Sequence, residues 1–274
     1  MIELLDAGSV QLVDVSPHPS TCPENRTAEY RIVQAARVSY GNDLKSVDED
    51  ARLLRYLIRN NHTSPLEMCS VTYRVVIPRA IALHFLRHRT GKFNEISQRY
   101  VTMPADNFYV PAPRLQSTRN HQGSDLKADI PVDVQTELDT LLTTARAQLA
   151  SLHEVYEKLI HAGMAKEAAR FILPGGEYTT LYMQFDLNNL IKMLRLRNDP
   201  EHAQYETYLY ARAMQQLAEP YFPTVFQVVR EMSSAVVFSA VEITALQSKV
   251  PLTSKTGQAL LESKLRTAGI YDIF

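Results

Sequence analysis

Apolar and polar residues alternate from Cys69 to Ile77, with Cys69, Val71, Tyr73, Val75 and Ile77 on one side and Ser70, Thr72 and Arg74 on the other. A period of two over that length predicts a half-buried strand. Tyr178 to Phe185 reads as another strand, and Ile2 to Val15 as two short ones around Ala7-Gly8-Ser9. Elsewhere the period lengthens to that of helices. Ser46-Val47-Asp48-Glu49 has the form of a capping box. It opens a helix that carries Leu53, Leu54, Leu57 and Ile58 on one face and ends near Asn60-Asn61. Thr21-Cys22-Pro23-Glu24 has the same form and predicts a helix running to about Val38.

Pro78 suits the first turn of a helix reaching Arg89, with Gly91 as its stop. On it His84, Arg87 and His88 share a face. Residues 93–101 read as extended, the stretch around Pro104, Pro111 and Pro113 as irregular, and the polar residues 114–130 as a mobile surface loop. A long helix from about Val132 to His161 is closed by Gly163, and a shorter one from Ala165 to Ile172 stops at Pro174-Gly175-Gly176. Asp186 can cap a helix whose apolar stripe is Leu187, Leu190, Ile191 and Leu194. Arg197 occupies the next position of that stripe. A guanidinium continuing an apolar face must find a carboxylate, an oxygen-rich ligand or a subunit boundary. Helices from Glu201 to Glu219 and from Thr224 to about Ser233 precede a polar C-terminal segment, about 240–274. Interleaved strands and helices without repeats or a clear boundary predict one mixed α+β domain, with its core at about 30–235.

Composition narrows the function classes. With 45% hydrophobic and 22% charged residues and a formal net charge of −1, the chain has the make-up of a soluble globular protein. Acids in Met1-Ile2-Glu3-Leu4-Leu5-Asp6 argue against a signal peptide, and no apolar run nears the ~18 residues that span a bilayer. Cys22 and Cys69 make neither a disulfide framework nor a zinc pair, so a reducing cytoplasm is expected and no metal site is. His84 and His88 at i, i+4 lack a third ligand nearby. Neither GxGxxG nor GxxxxGK[ST] occurs, so any bound phosphate must be held by side chains. Of the 29 basic residues 20 are Arg, whose planar fork grips phosphate and stacks on flat rings.

The densest chemistry lies in residues 87–99, Arg-His-Arg-Thr-Gly-Lys-Phe-Asn-Glu-Ile-Ser-Gln-Arg. A cationic cluster on a neutral background suits a pocket for a small polyanion better than a nucleic-acid surface. Composition alone leaves open a solvated basic helix end. Arg-His-Arg, seven residues, then Ser97 would arise by chance in roughly one chain in a thousand.

This stretch resembles the Arg-His-Arg-x7-Ser signature of the flavin-dependent thymidylate synthases. The resemblance extends, in the family's order, to Ala35-Ala36-Arg37-Val38-Ser39, His62-Thr63-Ser64-Pro65-Leu66-Glu67, Gln98-Arg99-Tyr100, Ala169-Arg170 before Pro174, and Leu196-Arg197 followed by His202-Ala203-Gln204. It implies a largely antiparallel sheet packed by long helices, in a homotetramer with active sites at subunit boundaries. It further implies FAD, reduced by NADPH, and conversion of dUMP to dTMP with 5,10-methylenetetrahydrofolate as carbon donor. Position by position, it implies flavin contacts from His62, Ser64, Arg87, His88, Arg89 and Glu95, and at Asp186, Asn188 and Lys192. It implies nucleotide contacts from His84, Arg87, Glu95, Ile96, Ser97, Gln98, Arg99, Arg170 and Arg197. Arg197 is the expected catalytic cation, beside the uracil N3–C4=O edge. Ser97 is expected to position or polarise the pyrimidine, since no His–Asp pair stands ready to make it a nucleophile.

The duller readings are ion pairs: Arg170 with Glu167 or Glu177, and Arg197 in a buried structural pair. On its own, His62 before Ser64-Pro65 is helix-start punctuation. Some relatives carry Gln where this chain has His84, and Asn-x-Arg with a later Asn where it has Asp186, Asn188 and Lys192. Two other functions remain open from the residues: a non-enzymatic nucleotide or RNA-binding module, and a flavoprotein acting on another substrate. No nucleic-acid or membrane partner is expected.

Overall fold

A computed structural model describes residues 1–39, 41, 44–105, 107–118, 122–126, 128–233, 238–248 and 251–268. The chain divides into two compact units, residues 1–226 and 227–274. In the first, strands β1 (Ile2–Leu4) and β2 (Gly8–Ser16) are followed by helices α1 (Tyr30–Ala36) and α2 (Val47–Arg59). Next come β3 (Ser70–Pro78), α3 (Arg79–Leu86), β4 (Lys92–Glu95) and the two-residue strands β5 (Leu115–Gln116) and β6 (Ser124–Asp125). Then follow α4 (Val132–His161), α5 (Lys166–Ala169), β7 (Tyr178–Asp186), α6 (Leu187–Arg197), α7 (Tyr205–Ala218) and α8 (Pro223–Ser233), which crosses the division.

The main sheet has the order β1-β2-β3-β7-β4, and every neighbouring pair is antiparallel. The mixed fold with its antiparallel sheet is thus as expected. In the β3–β7 register Val71 faces Phe185, Tyr73 faces Met183, Val75 faces Leu181 and Ile77 faces Thr179. All eight are buried. Both strands therefore point one face into the core, and the alternation read from Cys69 to Ile77 is that face. Leu187, Leu190, Met193 and Leu194 of α6 and Tyr210, Ala213 and Met214 of α7 are buried as well. Two tyrosines fix α7 to the sheet: Tyr73 donates to the Met214 carbonyl (2.9 Å) and Tyr210 to that of Val76 (2.8 Å). Gly8 permits this packing, because a Cβ there would lie 1.9 Å from the Tyr210 hydroxyl oxygen.

Helix α2 begins as its capping box predicts: the Ser46 hydroxyl accepts from the Glu49 amide, and the Glu49 carboxylate accepts from the Ser46 amide. That hydrogen bonding holds the Glu49 carboxyl below the usual carboxylate range. Ser46→Ala should lower the thermal midpoint by a few degrees through loss of about 1 kcal/mol, as thermal denaturation followed by circular dichroism would show. An unchanged midpoint would mean that the cap contributes nothing to folding. Helix α4 ends as predicted, with Gly163 at φ +93°.

Four boundaries differ from the sequence expectation. The helix expected at Thr21 begins at Tyr30, because Pro19–Thr21 forms a 3-10 turn, Cys22 is extended and Asn25 takes a left-handed φ of 60°. The helix expected to reach Arg89 stops at Leu86. A tight crossing follows: Gly91 passes so close to Phe93 and Phe185 that a Cβ would come within 2.5 Å of the Phe185 ring. Residues 93–101 are extended only at the start. At Ser97 the chain turns, its carbonyl accepting from the Tyr100 and Val101 amides and its hydroxyl oxygen from the Arg99 amide (3.3 Å). Residues 201–204 stay outside α7, since the Asp199 carboxylate accepts from the Glu201 and His202 amides and makes a separate turn. The predicted loop 114–130 contains the β5–β6 pairing; its residues 119–121 and 127 lie outside the described set.

The polar C-terminal segment is helical over much of its length, with α9 (Ala240–Ser248) and α10 (Lys255–Thr267). Ala245, Leu261 and Leu265 form a small buried cluster there, and Lys264 pairs with Glu242 at 2.7 Å.

Candidate active site

Three groups of expected site residues come together. Helix α3 carries His84, His88 follows just beyond its end, and the end of α6 brings Arg197 to both. The Arg197 Nε donates to His88 Nε2 (3.1 Å) and its Nη2 to the His84 carbonyl (3.4 Å). Thr207 Oγ1 lies 2.9 Å from His84 Nδ1. Burial and the Arg197 guanidinium hold both imidazoles below their usual range, with Glu206 opposing this at His84. Both rings are therefore neutral at pH 7, and the His88 Nε2 lone pair is free to accept from the guanidinium. Among the described residues Arg197 has no carboxylate partner, so the structural ion pair is not formed. A half-buried guanidinium held by neutral acceptors keeps its full charge available to a ligand.

The second group is an open cleft lined by Arg99, Glu167, Ala168, Arg170 and Phe171. Arg99 Nε lies 2.9 Å from Glu167 Oε2, with both side chains more than half exposed. Such a pair contributes little, and an anion could displace the carboxylate at small cost. Arg170 pairs with neither Glu167 nor Glu177, and no ion pair to it is formed among the described residues. The Phe171 side chain is 83% exposed beside the two guanidinium groups. Two cations beside an open aromatic face suit a ligand that is anionic and flat.

The third group surrounds the turn after β4. Ile96 continues the ladder through its amide to the Thr180 carbonyl (2.9 Å). Thr179 donates to Glu95 (2.7 Å), Arg79 to Gln98, and Gln98 Nε2 to Glu177 Oε2 (2.7 Å). Ser97 is half-buried beside buried Gln98, and no histidine or carboxylate bonds its hydroxyl among the described residues.

The remaining expected residues stay apart from these groups. Arg87 and Arg89 are exposed beyond α3 and form no ion pair among the described residues. His62 and Ser64 are exposed, His62 packing edge-on against Tyr56. Asp186 caps α6, accepting from the Asn189 amide (2.9 Å) and side chain (2.7 Å). Buried Asn188 donates to Glu67 (2.9 Å), and Lys192 is exposed. No hydrogen bond or ion pair joins Arg197 to the Arg99–Arg170 cleft among the described residues.

Sequence reasoning missed Arg79 and Glu177, which anchor Gln98, and Thr207, which meets His84. Thr207 follows Glu206 at the start of α7, where only the fold reveals that it faces α3. Among the described residues no group of three metal-ligating side chains forms and no helix is long and apolar enough to cross a membrane.

Residues 23–224 match the family model described as thymidylate synthase complementing protein. The chain is similar to the flavin-dependent thymidylate synthase of Treponema denticola, at 40% identity over 90% of this chain and 89% of that protein. It is 37% identical to that of Dictyostelium discoideum over 95% of this chain and 84% of the relative. It is also 37% identical to that of Thermus thermophilus, over 90% and 84% respectively. With a family model covering most of its length and relatives of this identity, the chain belongs to the flavin-dependent thymidylate synthase family of enzymes.

Proposed function

We propose that the protein methylates dUMP to dTMP with FAD, taking the carbon from 5,10-methylenetetrahydrofolate and reducing equivalents from NADPH. The observation that carries this is Arg197: among the described residues it is a cation without a carboxylate, held by the neutral His88 ring and the His84 backbone carbonyl. The donor set fits FAD. Arg87, Arg89 and Lys192 are exposed cations without anionic partners among the described residues, suited to a diphosphate and a flat ring system. Bound and reduced, FAD supplies a hydride.

The protein's own groups bind, orient and stabilise charge. Arg99 and Arg170 hold the nucleotide phosphate, Arg170 free of any competing ion pair among the described residues. Ser97, with Ile96 and Gln98 on either side, positions the uracil through its hydroxyl and the neighbouring backbone. His84 and Arg87 border the nucleotide. Arg197 sits at the N3–C4=O edge, where its charge stabilises the negative charge that makes C5 nucleophilic. His62, Ser64, His88, Arg89 and Glu95 hold the flavin. Asp186 and Asn188, engaged at the α6 start, shape that wall and leave Lys192 as its free cation.

The reading includes assembly as a homotetramer. Helix α4 is 30 residues long, about 45 Å, yet buries only His153 and Tyr156. Val132, Leu141 and Val155 on it are exposed. A helix so little covered within its own chain suits burial against other copies. Neighbouring copies would also join the Arg197 group to the arginine cleft. Both cysteines are free, which suits the reducing cytoplasm.

The test is a visible spectrum and an assay. Purified protein should be yellow and should form dTMP from dUMP only with NADPH and methylenetetrahydrofolate present. Colourless protein that FAD cannot reconstitute would remove the reading.

A further inference from the structure

Glu177 is a carboxylate with no role in the reading above, yet it is 2% exposed and hydrogen-bonded to the motif itself. It begins the entry into β7. Its carbonyl accepts from the Arg79 amide (2.9 Å), and it bridges to Phe108 on its other side. The carboxyl Oε2 receives the Gln98 amide at 2.7 Å, while Oε1 is buried without a partner among the described residues. Gln98 accepts from Arg79 through its carbonyl oxygen, so its side chain is clamped at both ends between a cation and a carboxyl. Gln98 lies between Ser97, whose hydroxyl accepts from the Arg99 amide, and Arg99 itself, which lines the open cleft. A clamp on Gln98 therefore fixes how the turn presents both neighbours.

We propose that Glu177 is a positioning residue for nucleotide binding, acting through Gln98 to hold the 96–99 turn with Ser97 and Arg99 displayed to dUMP. This rests on the thymidylate synthase reading. Burial pushes the Glu177 carboxyl up to about 7, against the lowering effects of the Gln98 hydrogen bond and of Arg79. The other charged group of the network is Glu95 on β4, 3.9 Å from Arg79. Tyr178, next in the chain, gives its hydroxyl to Asp6 instead. Near neutrality Glu177 therefore changes between an anionic acceptor, which grips Gln98 strongly, and a neutral acid, which grips it less. The clamp should loosen as pH falls through about 7.

The experiment compares the flavin-loaded full chain with Glu177→Gln and Glu177→Leu, measuring KM for dUMP and kcat from pH 6 to 8.5. Glutamine keeps the size and a neutral acceptor at every pH. The ratio of wild-type to Glu177→Gln KM should be near one at pH 6 and fall about fivefold by pH 8.5, the gain of a charge-assisted over a neutral hydrogen bond. Taking the ratio cancels titration of the nucleotide phosphate. Glu177→Leu should raise KM about tenfold at pH 8 with kcat within about twofold, the pattern of lost uniform binding. A ratio that stays flat while wild type converts dUMP overturns the inference and leaves the thymidylate synthase reading standing. So does a wild-type KM in folded Glu177→Leu. If the leucine variant does not fold, the glutamine ratio decides alone. If wild type does not convert dUMP, reading and inference fall together.

Discussion

Arg197→Ala should lower kcat about 100- to 1,000-fold while flavin content and thermal midpoint stay close to wild type. Among the described residues its side chain hydrogen-bonds only to His88 and the His84 carbonyl, so truncating it breaks no ion pair there. It sits at the end of α6, after the buried stripe of Leu187, Leu190, Ile191 and Leu194, and that packing is untouched. What disappears is a fixed cation that need not reorganise as charge develops on the pyrimidine, worth about 3 kcal/mol or more. Arg197→Lys should recover only part of the rate, because a point charge cannot keep both bonds and face the substrate. Steady-state turnover beside the flavin absorbance separates the outcomes. Near-normal kcat in the alanine variant would remove the assigned role, and loss of flavin with turnover would move Arg197 to the cofactor.

The largest stability effect is expected at Glu206. Its carboxylate is 1% exposed and receives Arg114, the Tyr109 hydroxyl (3.2 Å) and the Gln204 amide (3.0 Å). Burial and this carboxylate push the Tyr109 hydroxyl up to about 12, so it remains a donor. Arg114 also lies over the Tyr205 ring, 5.2 Å from its centroid. Glu206→Leu strands a guanidinium that is 20% exposed and whose Nη1 already has no hydrogen-bond partner among the described residues. Removing one member of a buried pair costs about 3–5 kcal/mol, and the partial exposure of Arg114 favours the lower end. At about 2–4 °C per kcal/mol in a chain of this size, the thermal midpoint should fall by roughly 6–12 °C. A fall under about 2 °C in a melting experiment at pH 7 would show that water replaces the carboxylate, and that residues 109–114 are not held to α7 by it.

Much of the fold was legible because its signals are local. The capping box at Ser46, the alternation leading into β3, the closure of α4 at Gly163 and the stripe of α6 each lie within a few residues of what they determine. Arg197 was legible for the same reason, as a charge where the stripe called for an aliphatic side chain. The boundaries that shifted depend on distant packing. Helix α3 ends early because Gly91 must pass the Phe185 ring, and nothing between residues 79 and 91 records that ring's position. The Glu177–Gln98 and Arg114–Glu206 bonds span 79 and 92 residues. Neither carboxylate has a spacing that marks it: from the sequence Glu177 reads only as a possible partner of Arg170, and no motif singles out Glu206. Arg170 was ambiguous between a ligand and an ion pair, and only the side-chain geometry shows Glu167 turned to Arg99.

In the proposed enzyme, arginines from separate elements converge on one flat, anionic nucleotide beside a flavin. A crystal structure of the assembled protein with FAD and dUMP tests this convergence most directly. The expected complex has one nucleotide with Arg197 within hydrogen-bond distance of the uracil C4 oxygen, Arg99 and Arg170 on its phosphate, and Arg89 at the flavin, counting every protomer. A complex in which these four arginines stay scattered, with Arg197 bonded only to His88 and His84, would contradict it.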